Sequence, residues 1–300
     1  MNKIFYTLLL IVLISCQSKD YDFERTVLTV NNQKFEILTA NAIVDDFLLT
    51  KSNYTRNVYR HIEQEFKDNA EFPFLIETLK TEIEPDRRLR KEMEIFRSID
   101  FKQIVESTFQ SIVRELPGPD TKILFFPSNP AYKEFLESHG VALYAVTPGE
   151  GKIIVTINPT IKNWQHLLPY ALAHEYHHSV WISRNFERSD ITLLEYLLLE
   201  GRADAFAFEL FPDKHHPFIN ILSKEQEKRI WNIIKPALPL RDSELNDKIM
   251  SGTSDIPTGS GYSIGFSILK SFRTNNPHTS DKELIDMTPE QILSLSKYDE

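Results

Sequence analysis

The chain has 300 residues, with 34 Lys and Arg against 43 Asp and Glu, and a formal net charge of -9. Hydrophobic residues are 41% and charged residues 26%, which fits one large or two small globular domains and excludes a wholly disordered chain or a multi-pass membrane protein. The acidic surplus excludes nucleic acid as the main partner, and only 9 glycines weaken any nucleotide-fingerprint reading.

Residues 1–16 read MNKIFYTLLLIVLISC. Lys3 gives a positive start, and the apolar run after it is too short to span a bilayer but right for a secretory signal. The run stops at Leu13-Ile14-Ser15-Cys16, which resembles the lipobox of bacterial lipoproteins. That resemblance implies removal of residues 1–15 as a signal peptide and a lipidated Cys16 as the new N-terminus. It implies a cell-envelope location, with the domain anchored to a membrane and lying outside the cytoplasm. An ordinary signal peptide, or an uncleaved anchor, is the alternative. Cys16 is the one cysteine in the chain, so no disulfide is expected. Residues 16–25 are polar and read as a tether.

Residues 26–38 predict two short strands around Asn31-Asn32. Residues 40–115 are helical in pattern, broken near Ser52, Pro73 and Pro85, so that 26–118 forms a mainly helical N-terminal region. The charge-dense stretch 82–97 predicts a solvated helix face with i,i+4 pairs. Leu116-Pro117-Gly118-Pro119 marks a boundary, and 119–300 reads as a separate C-terminal domain. There the period changes. Strands are expected at 122–126, 141–146 and 152–158, with a short helix at 131–138 and a turn at 148–151. Helices follow at about 164–182, 190–210, 224–236, 262–273 and 289–296. The class is α+β, a small mixed sheet followed by a helical half.

Residues 174–178 read HEYHH and fit H-E-x-x-H. On a helix, His174 and His178 lie one turn apart and point the same way, which makes half a zinc site. Glu175 sits where its carboxylate can reach a metal-bound water. The flanking residues Leu172, Ala173, Val180 and Trp181 are apolar, so the helix is buried, and unpartnered His or Glu there is costly. The competing reading is a pair of satisfied histidines. Residues 196–206 read YLLLEGRADAF. Glu200 and Asp204 share a helix face; Glu200 can supply a third ligand, and Asp204 can accept the other N–H of a ligand histidine. Gly201 in that helix suggests close approach to the H-E-x-x-H helix. Glu195 competes as a ligand, but Thr192 three residues before it fits a capping box. His177 lies 100° round from His178 and faces away. His215 and His216 fit a loop better than a closed metal site.

The pairing of HEYHH with EGRAD resembles the gluzincin metallopeptidases. More closely, the stretch from about residue 122 to the end resembles the predicted zinc-dependent proteases catalogued as domain of unknown function family 2268. The resemblance implies a zincin-like fold, with Zn2+ bound by His174, His178 and Glu200. It implies Glu175 as general base and Asp204 behind a ligand histidine. A Gly-rich motif with a tyrosine, Gly259-Ser260-Gly261-Tyr262, is shared with that family, and Tyr262 is a candidate catalytic donor to the oxyanion. The strand at 152–158 is expected to be the sheet edge that pairs with an extended peptide.

The function expected is a zinc-dependent peptidase acting on a peptide or protein substrate through a metal-activated water. The alternative is a zinc-containing envelope lipoprotein that binds or assembles without turnover. A non-peptide hydrolase using the same water is a third reading. The membrane contact expected is the lipid on Cys16.

Overall fold

A computed structural model of the chain describes residues 22–127, 141–188, 190–214 and 217–299. The lipobox with Cys16, the helix expected at 131–138 and the pair His215-His216 lie outside the described residues.

Strands β1 (Glu24–Val30) and β2 (Gln33–Thr39) form the hairpin expected from the sequence. Its turn residues Asn31 and Asn32 both have positive φ, 48° and 68°. That is the backbone of a tight hairpin turn, which asparagine tolerates better than most residues. Five helices follow: α1 (Asn41–Thr50), α2 (Arg60–Phe66), α3 (Phe74–Glu77), α4 (Arg87–Phe96) and α5 (Phe101–Glu115). A π-helical turn, Thr55–Tyr59, leads into α2. In α4 the charged stretch is only half solvated. Asp86 caps the helix, while Leu89, Glu92, Met93 and Phe96 are buried.

Strands β3 (Thr121–Pro127), β4 (Leu143–Gly149) and β5 (Lys152–Ile157) complete one sheet in the order β1-β2-β3-β5-β4. The pairs β2/β3 and β3/β5 are parallel, and β4/β5 is antiparallel. The central strands are near-continuous apolar runs because both faces are covered. The sheet therefore crosses the turn at 116–119: β2 before it pairs with β3 after it. The edge differs from expectation. Strand β5 is bonded on both sides, and β4 is the outer strand. The short turn at 150–151 folds β4 back along one side of β5, while β3 takes the other.

Among the described residues seven α-helices follow: α6 (Trp164–Asn185), α7 (Leu193–Leu210), α8 (Lys224–Ile234), α9 (Ser243–Ser251), α10 (Ser260–Asn275), α11 (Asp281–Leu284) and α12 (Pro289–Ser296). The fold is α+β, as expected, although α9 is not foreseen by the apolar pattern. Two cores result. One lies around the sheet and α1 to α6; the other joins α7, α8 and α10. Helix α7 serves both. Its Leu199, Phe206 and Ala207 face the first core, and Leu193, Leu197 and Leu198 the second. Each large apolar side chain so buried contributes roughly 1.5–3 kcal/mol. No helix among the described residues is long and apolar enough to cross a membrane.

Gly201 corrects a second expectation. It faces α10, not α6. A Cβ on Gly201 would lie 2.5 Å from the Gly265 carbonyl, and one on Gly265 would lie 2.2 Å from the Leu197 oxygen. The two glycines let α7 and α10 touch backbone to backbone.

Candidate metal centre

Helix α6 carries His174, Glu175 and His178, and α7 carries Glu200 and Asp204. The helices pack side by side, and the expected ligands converge. His174 Nε2 lies 2.9 Å from His178 Nε2. Glu200 Oε2 lies 3.2 Å from His174 Nε2 and 3.5 Å from His178 Nε2. A tetrahedral ion with bonds near 2.05 Å needs donor atoms about 3.3 Å apart. The three separations bracket that value, so the donor set fits zinc.

The tautomer fits as well. His174 Nδ1 lies 2.9 Å from Asp204 Oδ1, and an ionised carboxylate only accepts. The imidazole hydrogen therefore sits on Nδ1, and the Nε2 lone pair points at the centre. Tyr170, one turn before His174, donates to the same Asp204 oxygen at 2.8 Å. His178 Nδ1 is buried with no partner among the described residues. The rings of His174 and His178 stand nearly perpendicular, at 85°.

The electrostatics follow from burial and crowding. Burial alone disfavours a charged His174, but the carboxylates of Asp204 and Glu200 overcome it and raise its pKa well above the ordinary value. Burial likewise opposes ionisation of Glu200, yet the two imidazoles hold its carboxyl well below the usual range. The raised His174 pKa favours a proton on that ring, which a metal ion taking its Nε2 lone pair displaces.

Glu175 points beside the ligand set. Burial raises its pKa, partly offset by the imidazoles and by Thr147. The Thr147 hydroxyl, on β4, lies 2.8 Å from both the Glu175 backbone oxygen and Oε2. Its one hydrogen serves one acceptor at a time. Glu195 is the cap expected: Thr192 and Glu195 form a reciprocal capping box. His177 is buried against Phe206 on the far side of α6, where burial pulls its pKa well below the ordinary value. Arg202 also turns away and donates to the Ile285 carbonyl at 3.1 Å.

A cavity of about 310 Å³ opens onto this cluster. His174, Glu175, His178, Glu200 and Tyr262 all line it. Tyr262 stacks against Phe218 with ring centres 6.3 Å apart. Four contributors were not singled out from sequence. Thr147 gives no sequence signal. Tyr170 and Tyr196 do, since each sits one turn before a member of the cluster; Tyr196 also lines the cavity. The fourth is the apolar segment around Phe72 and Phe74.

Two imidazoles and a carboxylate gathered from two helices at the floor of a cavity make a candidate centre for one divalent metal ion. The chain belongs to the family described as predicted Zn-dependent protease, domain of unknown function 2268, which it matches over residues 101–294. It is 30% identical over 156 residues to the uncharacterized protein YjfC of Bacillus subtilis strain 168. That match covers 48% of this chain and 52% of the relative, so the chain spans about half the relative's length. No solved structure matches.

Proposed function

We propose that the protein is a zinc-dependent peptidase of the gluzincin, zincin-like kind, with His174, His178 and Glu200 as ligands. One observation carries the reading: the three donors and the Glu175 carboxylate face the same open cavity. Zinc held there supplies Lewis acidity, polarising a carbonyl and bringing the pKa of a water near 7. Glu175, positioned through Thr147, takes a proton from the attacking water on a carboxylate oxygen and hands it to the leaving amine. Asp204 keeps His174 in the ligating tautomer. Tyr262 donates to the carbonyl oxygen as charge develops there, and Tyr196 of α7 lines the same cavity. Strand β4, as the outer strand lining the cavity through Tyr144 and Thr147, pairs with an extended substrate. Among the described residues that line the cavity there is neither Lys nor Arg, which favours a neutral peptide over a phosphate ester.

The test is Glu175→Gln. Zinc stays near one per chain by elemental analysis while cleavage of a peptide library disappears. A mutant that cleaves as fast as wild type overturns the mechanism. A wild-type protein that holds zinc but turns over no peptide supports the rival reading, a binding or assembly factor. The cavity that reaches the ligands favours turnover. We also infer that the enzyme is anchored in the cell envelope through lipid on Cys16. Cys16→Ala moves it from the membrane to the soluble fraction; if it stays with the membrane, the lipid is not the anchor.

A further inference from the structure

The segment just before and within α3 lies outside the residues matched by the family, yet Phe72, Phe74 and Leu75 line the same cavity as the metal donors. The segment is fixed there. The Phe72 N–H donates to the Pro148 carbonyl at 2.9 Å, at the end of β4. The Glu150 N–H donates to Glu71 Oε2 at 3.0 Å. The Phe72 ring meets Phe186 edge-on at 5.3 Å, just past the end of α6. Phe74 packs edge-on to Phe72 at 6.1 Å and remains 57% exposed. An aromatic ring left wet beside a cavity is the exception on this surface, where large exposed apolar residues are otherwise scattered. The same cavity is lined by Ile182, one turn beyond His178, and by Leu199, next to Glu200. Among the described residues, the charged side chains lining the cavity beside the donors are Glu175 and Asp247, both acidic.

We propose that this end of the cavity is a specificity subsite. It takes a large apolar side chain of the peptide residue flanking the scissile bond, with Phe74 and Leu75 as its outer wall. The inference rests on the peptidase reading above. Phe72 anchors the wall on Phe186, and Ile182 and Leu199 form the floor. The acidic residues nearby reject an acidic side chain. The N-terminal region thereby supplies this chain's preference to a centre that the family segment builds.

The experiment pairs binding with turnover on the full-length, zinc-loaded protein. Two peptide hydroxamates that differ only in a benzyl or methyl side chain are compared by calorimetry, and the matching two peptides are compared by kcat/KM. Burial of the ring predicts a benzyl preference of roughly 10- to 100-fold in both. Phe74→Ala and Leu75→Ala each narrow that ratio several-fold, with zinc content and melting temperature kept. Phe74 is exposed, so its truncation spares the core; Leu75→Ala is the second arm should that variant misfold. Wild-type protein that binds the benzyl hydroxamate more tightly yet cleaves nothing leaves the subsite standing and removes the peptidase reading. Protein that cleaves, but favours small or acidic side chains, or whose benzyl preference survives both truncations, overturns the subsite.

Discussion

Asp204 is buried behind His174 and holds two hydrogen-bond donors at one oxygen. Its Oδ1 receives both the His174 Nδ1 hydrogen and the Tyr170 hydroxyl. Asp204→Asn keeps the shape and weakens both interactions. Zinc affinity falls roughly 10- to 100-fold, as is usual when such a supporting partner is lost. Competition with a chromogenic chelator measures it, and an unchanged affinity means the tautomer is fixed by something else. Thr147 has the complementary role on the other carboxylate. Thr147→Val removes the hydroxyl near Glu175 Oε2 while filling the same space. The expected result is a lower kcat at unchanged zinc content; loss of zinc instead would assign Thr147 to ligand geometry. Most of the residue chemistry is legible in the sequence because helical spacing is rigid. His174 with His178, and Glu200 with Asp204, are each four apart, and the helix does the rest. Thr147 is invisible because a strand two elements away brings it, and no local spacing encodes that.

At the level of elements, the contact between α7 and α10 is the most exposed to perturbation. Gly201 and Gly265 meet backbone to backbone, so any Cβ there must push the helices apart. Gly265→Val destabilises the protein by about 1–3 kcal/mol, the ordinary cost of overpacking. Because α7 bears Glu200, zinc weakens along with it. Urea unfolding and zinc titration read the two effects, and a stable variant with full zinc affinity removes the glycines from the argument. The sequence reveals the long elements for a plain reason: α6, α7 and α10 carry apolar stretches too long for strands. It hides what depends on assembly. Strand order is one such property, since the apolar run of β5 reads the same whether one neighbour or two share its hydrogen bonds. Helix α9 is another; it buries only Asn246, Ile249 and Met250, too few to make a clear stripe. The turn at 116–119 looks like a boundary because Pro and Gly stop local structure, but they do not stop sheet pairing.

Across the whole molecule, the N-terminal region and the family segment are joined by charge as well as by hydrogen bonds of the sheet. Glu65 on α2 meets Arg25 of β1 at 2.7 Å and also pairs with Lys122 of β3. Burial raises the Glu65 pKa, but the hydrogen bonds from Arg25 and Lys122 outweigh it and hold the carboxyl below its usual value. A lowered folded pKa stabilises above the unfolded value near 4.3, and the gain fades as pH falls through the folded value. Glu65→Gln therefore costs about 1 kcal/mol at neutral pH, a figure kept small by partial exposure of the cluster. The difference from wild type vanishes in acid. Denaturant midpoints at several pH values test this, and a gap that grows on acidification reverses the sign. Outer strand β4 carries a final consequence. Over residues 143–146 its amides alternate: those aimed at β5 are locked, while the others point away from it. Isotope exchange along β4 should thus run slow and fast by turns. A peptide lying as an added strand slows only the fast set, whereas one that merely fills the cavity leaves the alternation untouched.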